Sequence, residues 1–334
     1  MNMKEGFDIP VALILFKRKE KPLLVLGQIA KVKPKKLYLL SDGGRTPEEI
    51  LQVEECRRAI ESAIDWDCEV VKRYAESNIG VYENIAGGAK WVFEREKFAI
   101  FLEDDNFPEL SFFKFCEILL KKYEADSRVF WICGTNYFED YNQANGDSYM
   151  FTQCMLPCGW ASWSDKFLKY YDSSLDVIGD QGKRSEIRST YFTQRLHKQD
   201  LINLDHEIAY KKSFGRFYSW DYQMAFSIRV NNLLGVVPCL NQIKNIGVDS
   251  DSIHGGWNEA DPMTVRFCNL KTKEIQFPIV HPEVVSITPS FERDLEEYIT
   301  DIRLFKFKAM LSRFLRRLFN IPPNQSLKKI IFRR

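Results

Sequence analysis

Short runs rich in apolar residues, each followed by a polar turn, recur along the first part of the chain. They stand at 11–16, 36–40, 68–72 and 98–102, and longer stretches with apolar positions at helical spacing lie between them. Such runs are typical of strands that are buried on both faces of a parallel sheet. The alternation of strand and helix therefore predicts an α/β fold with a doubly wound, mostly parallel sheet and right-handed crossovers.

The pattern becomes less regular after residue 128, and longer polar segments separate the apolar runs. One of them, 241–256, is rich in Asn, Asp, Ser and Gly and is longer than a simple connection requires. The strands predicted in this part are 128–134, 149–155 (antiparallel) and 233–237. One helix is predicted to end at Tyr171, and two more are predicted at 200–212 and 222–231.

Composition places the chain among ordinary globular proteins, with 334 residues, 45% hydrophobic and 28% charged. The net charge of +1 gives no reason to expect a nucleic-acid partner. Eight cysteines are scattered without a CxxC pair, so we expect reduced thiols and a reducing compartment. We find no secretory signal and no apolar run of membrane-spanning length, which favours a cytoplasmic location.

The last part of the chain is strongly basic, since 301–334 holds ten Lys or Arg and one acid. Leu304, Phe307, Leu311 and Phe314 repeat at helical spacing, with Arg and Lys mostly on the other side. Segment 291–334 is therefore predicted to be a basic amphipathic helix and tail that binds an anionic membrane surface, at the inner face of the cell membrane. The alternative is a helix that packs on the body or on a partner.

Three consecutive carboxylates, Glu103, Asp104 and Asp105, follow the apolar run 98–102 directly. Open α/β sheets bind ligands at the carboxyl ends of their strands. Crowded acids repel one another unless a hard cation lies among them, and carboxylate oxygens suit Mg²⁺ or Mn²⁺. The triplet therefore predicts a divalent-cation site, with a solvated acidic turn as the alternative.

The ordered set of segments 10–16, 36–43, 78–80 and 102–105 resembles a glycosyltransferase of the GT-A type. More narrowly, the chain is similar to the N-acetylglucosaminyltransferase I-like group and its bacterial, hemolytic-protein-like relatives. Later landmarks of the group are Gly159-Trp160-Ala161-Ser162-Trp163, Trp220-Asp221 and the stretch from Asn245-Ile246-Gly247 to His254, so the resemblance covers roughly 8–256. It implies one Rossmann-like GT-A domain, 1–290, with a nucleotide-binding half (about 8–135) and an acceptor or catalytic half (about 136–260).

The resemblance also implies roles for the acidic triplet and for residues at neighbouring strand ends. Asp105 would ligate Mn²⁺ or Mg²⁺ directly, Asp104 would reach the metal through water or contact the ribose, and Glu103 would lie nearer the nucleoside. Asp42 would accept a hydrogen bond from the uracil N3–H, or would simply form an Asx turn. Arg18, beside Phe16 at the end of the first strand, would contact base or phosphate, and Lys17 is the alternative.

The remaining donor-site candidates each have a plain structural alternative. Asn78 would bind sugar or nucleoside and Gly80 would permit close approach of the backbone, although both residues are also common in turns. Trp160 and Trp163 would stack on sugar faces, or pack in the core. His254 would reach the metal from a closing loop, or lie exposed.

Asp221 is the candidate catalytic base, because inverting transfer needs a carboxylate that takes the proton of the acceptor hydroxyl. Its alternative is an ordinary helix-capping Asp. The expected activity is metal-dependent inverting transfer from a nucleotide-sugar, with UDP-GlcNAc as the first expectation, to a glycan or lipid-linked glycan. The alternatives are a sugar nucleotidyltransferase and a non-catalytic, membrane-associated binding protein on the same scaffold.

Overall fold

The structure is a computed structural model that describes residues 6–141, 145–248 and 266–300. Its strands are β1 (Val11–Leu15), β2 (Lys36–Ser41), β3 (Glu69–Tyr74), β4 (Phe98–Glu103), β5 (Asn106–Pro108), β6 (Val129–Cys133), β7 (Tyr149–Thr152), β8 (Trp160–Trp163), β9 (Leu234–Pro238) and β10 (Ile243–Asn245). Its α-helices are α1 (Glu20–Val32), α2 (Pro47–Ser62), α3 (Gly88–Phe93), α4 (Leu110–Lys122), α5 (Ser164–Tyr170), α6 (Gln181–Glu186), α7 (Gln194–Phe214), α8 (Asp221–Val230) and α9 (Pro289–Ile299).

A central sheet of eight strands, in the order β3-β2-β1-β4-β8-β6-β9-β7, organises the fold. Strands β1 to β4 run parallel, and β6 and β9 share their direction. Strands β7 and β8 run against their neighbours. The predicted α/β class with a mixed, mostly parallel sheet is confirmed.

Strand β8 was not predicted, because the four residues Trp160–Trp163 carry too short a signal to separate a strand from the start of the next helix. The insertion of β8 between β4 and β6 interrupts the parallel order at the centre of the sheet. Helix α7 is likewise longer than the predicted 200–212, since the Oγ1 of its N-cap Thr193 accepts the N–H of Leu196.

Two hydrophobic clusters cover the two faces of the sheet. Alternate residues of β1 show the division, since Val11, Leu13 and Leu15 belong to one cluster and Ala12 and Ile14 to the other. The first cluster packs against α1, α2 and α4, and the second packs against α3, α5, α8 and α9. Burial on both faces accounts for the continuous apolar runs in the sequence.

Helix α9 is part of this packed body, because Phe291 and Leu295 are fully buried in the second cluster. The predicted boundary at residue 290 therefore falls inside a packed segment. The basic part of the predicted tail, 301–334, lies outside the described residues, and its membrane binding stays a prediction. Among the described residues, no helix has the length and apolar character that a membrane span requires.

Candidate active site

A large cleft of about 1160 Å³ opens where the parallel strands end. We name its two walls after the roles that are proposed for them below. The donor wall is formed by the segments that follow β1, β2, β3 and β4, and the acceptor wall is formed by α7, the loop 215–220 and the start of α8. Most of the predicted site residues line this cleft: Phe16, Arg18, Asp42, Asn78, Gly80, Glu103, Asp104, Asp105 and Asp221.

The acidic triplet is held in place by the side chain of Asn106 and by the small β5–β10 sheet. The Nδ2 of Asn106 donates to Oδ1 of Asp105 at 2.8 Å, and its Oδ1 accepts the N–H of Gly159 at 2.8 Å. The N–H of Ile246 donates to the carbonyl of Asp105 at 2.9 Å. The turn that carries the carboxylates is therefore anchored to two distant segments of the chain.

Arg18 is the cation that the structure places against the triplet. Its guanidinium contacts both oxygens of Asp104, at 2.6 and 3.2 Å, and one oxygen of Asp105 at 3.4 Å. Burial and the adjacent Asp105 raise the pKa of Asp104 to about 6 despite this arginine. Burial, together with Asp105 and Asp104, also raises the pKa of Glu103 well above its ordinary value.

Arg18 thus contacts two of the three carboxylates, and the charge of Lys21 also acts on Asp104, yet the pKa values of Glu103 and Asp104 stay raised. Asp104 and Asp105 follow β4 directly and line the cleft. Their carboxylate oxygens are the ligands that Mg²⁺ and Mn²⁺ prefer. The donor set fits a hard divalent cation, which would lower the pKa values that crowding raises.

Asp42 organises the loop that follows β3. Its Oδ1 accepts the N–H of Gly43 and of Ile79, both at 2.7 Å, and its Oδ2 accepts Nδ2 of Asn78 at 2.8 Å and the N–H of Gly80 at 3.0 Å. These four bonds fill the lone pairs of the carboxylate. Contact with a uracil would require one of them to be given up, so base binding by Asp42 and Asn78 stays a prediction.

Gly80 lies under an arginine that the sequence analysis did not single out. Its φ is +87°, and a Cβ there would lie 3.1 Å from a terminal nitrogen of Arg216. The predicted close approach to Gly80 is therefore made by a side chain from the opposite wall. Among the basic residues lining the described part of the cleft, only Arg216 shows neither a carboxylate nor a hydrogen-bond partner.

Gly247 packs directly on the carboxylate of Asp105. A Cβ at this position would lie 2.2 Å from Oδ2 of Asp105, which no real structure tolerates. The N–H of Gly247 donates to Oδ1 of Asn245 at 2.8 Å, which fixes the approach of the backbone. The landmark Asn245-Ile246-Gly247 thus has a physical role, because it sets where the Asp105 carboxylate can lie.

Asp221 is the first residue of α8 and lines the same cleft as the triplet. Its charge is among those that raise the pKa of Glu103. The hydroxyl of Ser219 donates to Asp221, and Glu207 on α7 accepts the N–H groups of Tyr218 and Ser219 at 3.0 and 3.1 Å. The predicted base therefore lines the same cleft as the acidic cluster, on the acceptor wall and at the first position of α8.

Two predicted sugar-stacking residues are instead core residues. Trp160 and Trp163 are each 1% exposed and do not line the cleft. Trp160 stacks on Phe101, with ring centroids 4.2 Å apart, and the Nε1 of Trp163 donates to the carbonyl of Leu120 at 2.9 Å. The prediction was wrong because both side chains belong to the unpredicted strand β8. His254 lies outside the described residues.

Several cleft residues were missed by the sequence analysis. Asn84, in the π-helical turn Glu83–Gly87, is 4% exposed, and its Oδ1 has no hydrogen-bond partner in the described part of the chain. One face of α7 also lines the acceptor wall, with Gln199, Asn203, His206 and Tyr210. The signal that could have found this face is its spacing of three or four residues on a predicted helix.

Comparisons with known proteins return neither a family model nor a curated protein that matches. Among solved structures, the chain is similar to glucosyl-3-phosphoglycerate synthase from Mycobacterium tuberculosis in complex with Mn²⁺, UDP and phosphoglyceric acid, with 12% identity and a TM-score of 0.30. That match covers 48% of this chain and 57% of the other.

Two further solved structures are similar to parts of the chain. An apo UDP-glucose pyrophosphorylase has 9% identity and a TM-score of 0.38, covering 71% of this chain and 93% of the other. HddC from Yersinia pseudotuberculosis has 11% identity and a TM-score of 0.31, covering 52% and 86%. Similarity this low does not assign an activity.

Proposed function

We propose that the protein is a metal-dependent, inverting glycosyltransferase that uses a nucleotide-sugar donor. The observation that carries this proposal is the opposition of two acidic elements across one cleft. The triplet Glu103–Asp105 lies on the donor wall, and Asp221 lies on the acceptor wall. A reaction with a departing anion on one side and an entering hydroxyl on the other needs this division of roles.

On the donor wall, Asp105 and Asp104 would hold Mn²⁺ or Mg²⁺, and Arg18 keeps Asp104 oriented through its two contacts. When bound, the cation supplies charge that stabilises the departing diphosphate. Arg216 reaches over Gly80 from the other wall, and its guanidinium, which has no partner among the described residues, can contact a phosphate oxygen of the donor. The Oδ1 of Asn84 can accept a hydrogen bond from the nucleoside.

On the acceptor wall, Asp221 takes the proton of an acceptor hydroxyl as that oxygen bonds to the anomeric carbon. The bond from the anomeric carbon to the diphosphate breaks on the opposite side, and the nucleoside diphosphate leaves with its electron pair. The Ser219 hydroxyl and the Glu207-anchored loop hold Asp221 in position. Attack opposite the leaving group inverts the anomeric configuration.

The donor is proposed to be UDP-linked, with UDP-GlcNAc as the first sugar to test. A sugar nucleotidyltransferase would transfer the nucleotide instead, and would release UTP from a UDP-sugar and pyrophosphate. The connection between β1 and α1, Phe16 to Lys19, contains no glycine, although phosphate-binding loops of that class are rich in glycine. This feature favours glycosyl transfer.

The test is release of UDP from a panel of UDP-sugars, with Mn²⁺, Mg²⁺ or EDTA and without added acceptor. We expect slow, metal-dependent UDP release that Asp105→Ala abolishes. Adding glycans to the assay should accelerate UDP release from the native protein, but not from Asp221→Ala. Production of UTP in the presence of pyrophosphate would establish the nucleotidyltransferase alternative. Absence of both reactions with every donor would leave a binding protein.

A further inference from the structure

One face of α7 presents neutral polar side chains to the cleft. Asn203, His206 and Tyr210 stand at positions i, i+3 and i+7 and all line the acceptor wall. At a rise of about 1.5 Å per residue they extend over about 10 Å along the helix axis, which is longer than a single pyranose ring. We call these three residues the α7 face.

The polar groups of the α7 face do not hold the described fold together, although the ring of Tyr210 packs on Phe214 and Tyr218. Within the described residues, no hydrogen bond is made by the side chains of Asn203, His206 or Tyr210, although Asn203 is half-buried. Two acids of α7 beside this face are occupied: Asp200 accepts the hydroxyl of Tyr191 at 2.9 Å, and Glu207 accepts two backbone N–H groups. Half-buried polar groups without protein partners suit a ligand that donates and accepts hydrogen bonds.

The charges around the α7 face select against an anionic ligand. None of the α7 residues that line the cleft is a lysine or an arginine, whereas Asp200 and Glu207 are acids. The guanidinium of Arg216 lies against Gly80 on the donor wall. Two aromatic rings, those of Tyr210 and of Tyr218 (44% exposed), lie edge to face at the open end with centroids 5.4 Å apart.

We propose that the α7 face is the acceptor-binding site and that it takes a neutral, polyhydroxylated chain of more than one sugar. This inference rests on the proposed function, because it assigns an acceptor class to that reaction. The amide, imidazole and phenol groups bond to sugar hydroxyls, and the Tyr210–Tyr218 pair contacts the apolar face of a ring. A sugar seated here places its terminal hydroxyl towards Asp221, which follows the loop that Glu207 anchors.

The experiment measures binding of oligosaccharides by saturation-transfer NMR, with the full chain and neutral malto-, cello-, manno- and chito-tetraose beside acidic tetragalacturonate. The test variant combines Asn203→Ala, His206→Ala and Tyr210→Phe. The matched control combines Lys198→Ala, Ile202→Ala and Lys212→Ala, which change α7 residues that do not line the cleft. UDP release from the donor without acceptor is measured for all three proteins.

We expect the native protein to bind at least one neutral tetrasaccharide. The test variant should bind it about tenfold or more weakly, whereas the affinity of the control variant should stay within about twofold of the native value. Acceptor-free UDP release should stay within about twofold in both variants. Equal binding by native and test variant, a preference for tetragalacturonate, or no binding to any probe would overturn the inference. Neutral-glycan binding that the test variant loses, without any UDP-sugar cleavage, would refute the proposed function and leave the site standing.

Discussion

The two walls of the cleft are built in different ways. The donor wall is a row of strand ends, where parallel neighbours bring Arg18, Asp42 and the acidic triplet to one edge of the sheet. The acceptor wall is a helix face and a loop that depend on packing between segments far apart in the chain. The register of the parallel strands therefore positions the donor wall, whereas a buried charge cluster positions the acceptor wall.

The buried charge cluster consists of Arg229 on α8 with Glu292 and Glu296 on α9, at 3.3 and 3.1 Å. All three side chains are almost fully buried. Glu296 also accepts the N–H of Thr193, at the start of α7, at 2.6 Å. Cys154, Glu292 and Glu296 could by spacing hold a metal ion, but the guanidinium of Arg229 already contacts all three side chains, so the cluster joins α7, α8 and α9.

In this cleft, the residues proposed to bind the metal and the donor are therefore separate from the buried residues that stabilise the acceptor wall. Changes on the donor wall are expected to alter ligand and metal affinity while leaving the fold intact. Changes at the buried charge cluster are expected to lower the free energy of unfolding and to disrupt the acceptor wall.

Replacing Asp221 with Asn should lower glycosyl transfer by about 10²–10⁴-fold, because an amide cannot take the proton of the acceptor hydroxyl. Binding of UDP should not change, since the donor wall is intact. Steady-state transfer and calorimetric titration with UDP check the two halves of this prediction. A variant that transfers at the native rate would remove Asp221 from the mechanism.

Replacing Arg229 with Met should lower the free energy of unfolding by about 3–5 kcal/mol, because two buried carboxylates lose their cation. The control is Arg184→Met, which breaks the more exposed pair with Asp205 and should cost about 1 kcal/mol or less. Urea unfolding followed by fluorescence measures both. Similar losses in the two variants would mean that the cluster does not hold the acceptor wall.

Replacing Gly247 with Ala should weaken Mn²⁺ binding about tenfold, because the new methyl group must displace the carboxylate of Asp105. Gly27→Ala is the control, since a Cβ on this α1 residue meets nothing within 4 Å. Gly27→Ala should raise the free energy of unfolding by about 0.5–1 kcal/mol, because alanine favours a helix interior. Unchanged Mn²⁺ affinity in Gly247→Ala would argue that Asp105 does not need its observed position.

Replacing Asp200 with Asn should stabilise the protein slightly at neutral pH. Burial raises the pKa of Asp200 to about 6, so the native fold binds this proton more tightly than the unfolded chain does. The native protein therefore loses stability as the pH rises from about 4 to 6, and the variant avoids this loss. A gain on the order of 1 kcal/mol at pH 7, vanishing near pH 4, is expected from thermal unfolding.

Much of the donor wall could be predicted from the sequence, because its residues follow strands that the apolar runs mark. Arg18, Asp42 and Glu103–Asp105 all lie at the expected sheet edge and line one cleft. Asp221 was found through a resemblance, and the structure brings it to the same cleft. More than 100 residues of chain separate it from the triplet, so no local signal showed that the two share a cleft.

The acceptor wall was mostly missed for physical reasons. The partners of Arg229 are 63 and 67 residues away, and no periodicity in the sequence links them. Trp160 and Trp163 were misassigned because a short antiparallel strand takes both rings into the core. The α7 face was not predicted, because in the sequence its polar residues have the pattern of a solvent-exposed helix side, and only the structure shows that they line the cleft.

The most direct test of the account is a titration of Mn²⁺ followed by electron paramagnetic resonance, with and without UDP, on the native protein and on Asp105→Asn. The central claim is that the acidic triplet holds a divalent cation together with a nucleoside diphosphate. The account predicts one tight Mn²⁺ per native chain in the presence of UDP, and its loss in Asp105→Asn. Equal Mn²⁺ binding by the two proteins, or binding that UDP does not strengthen, would contradict the account.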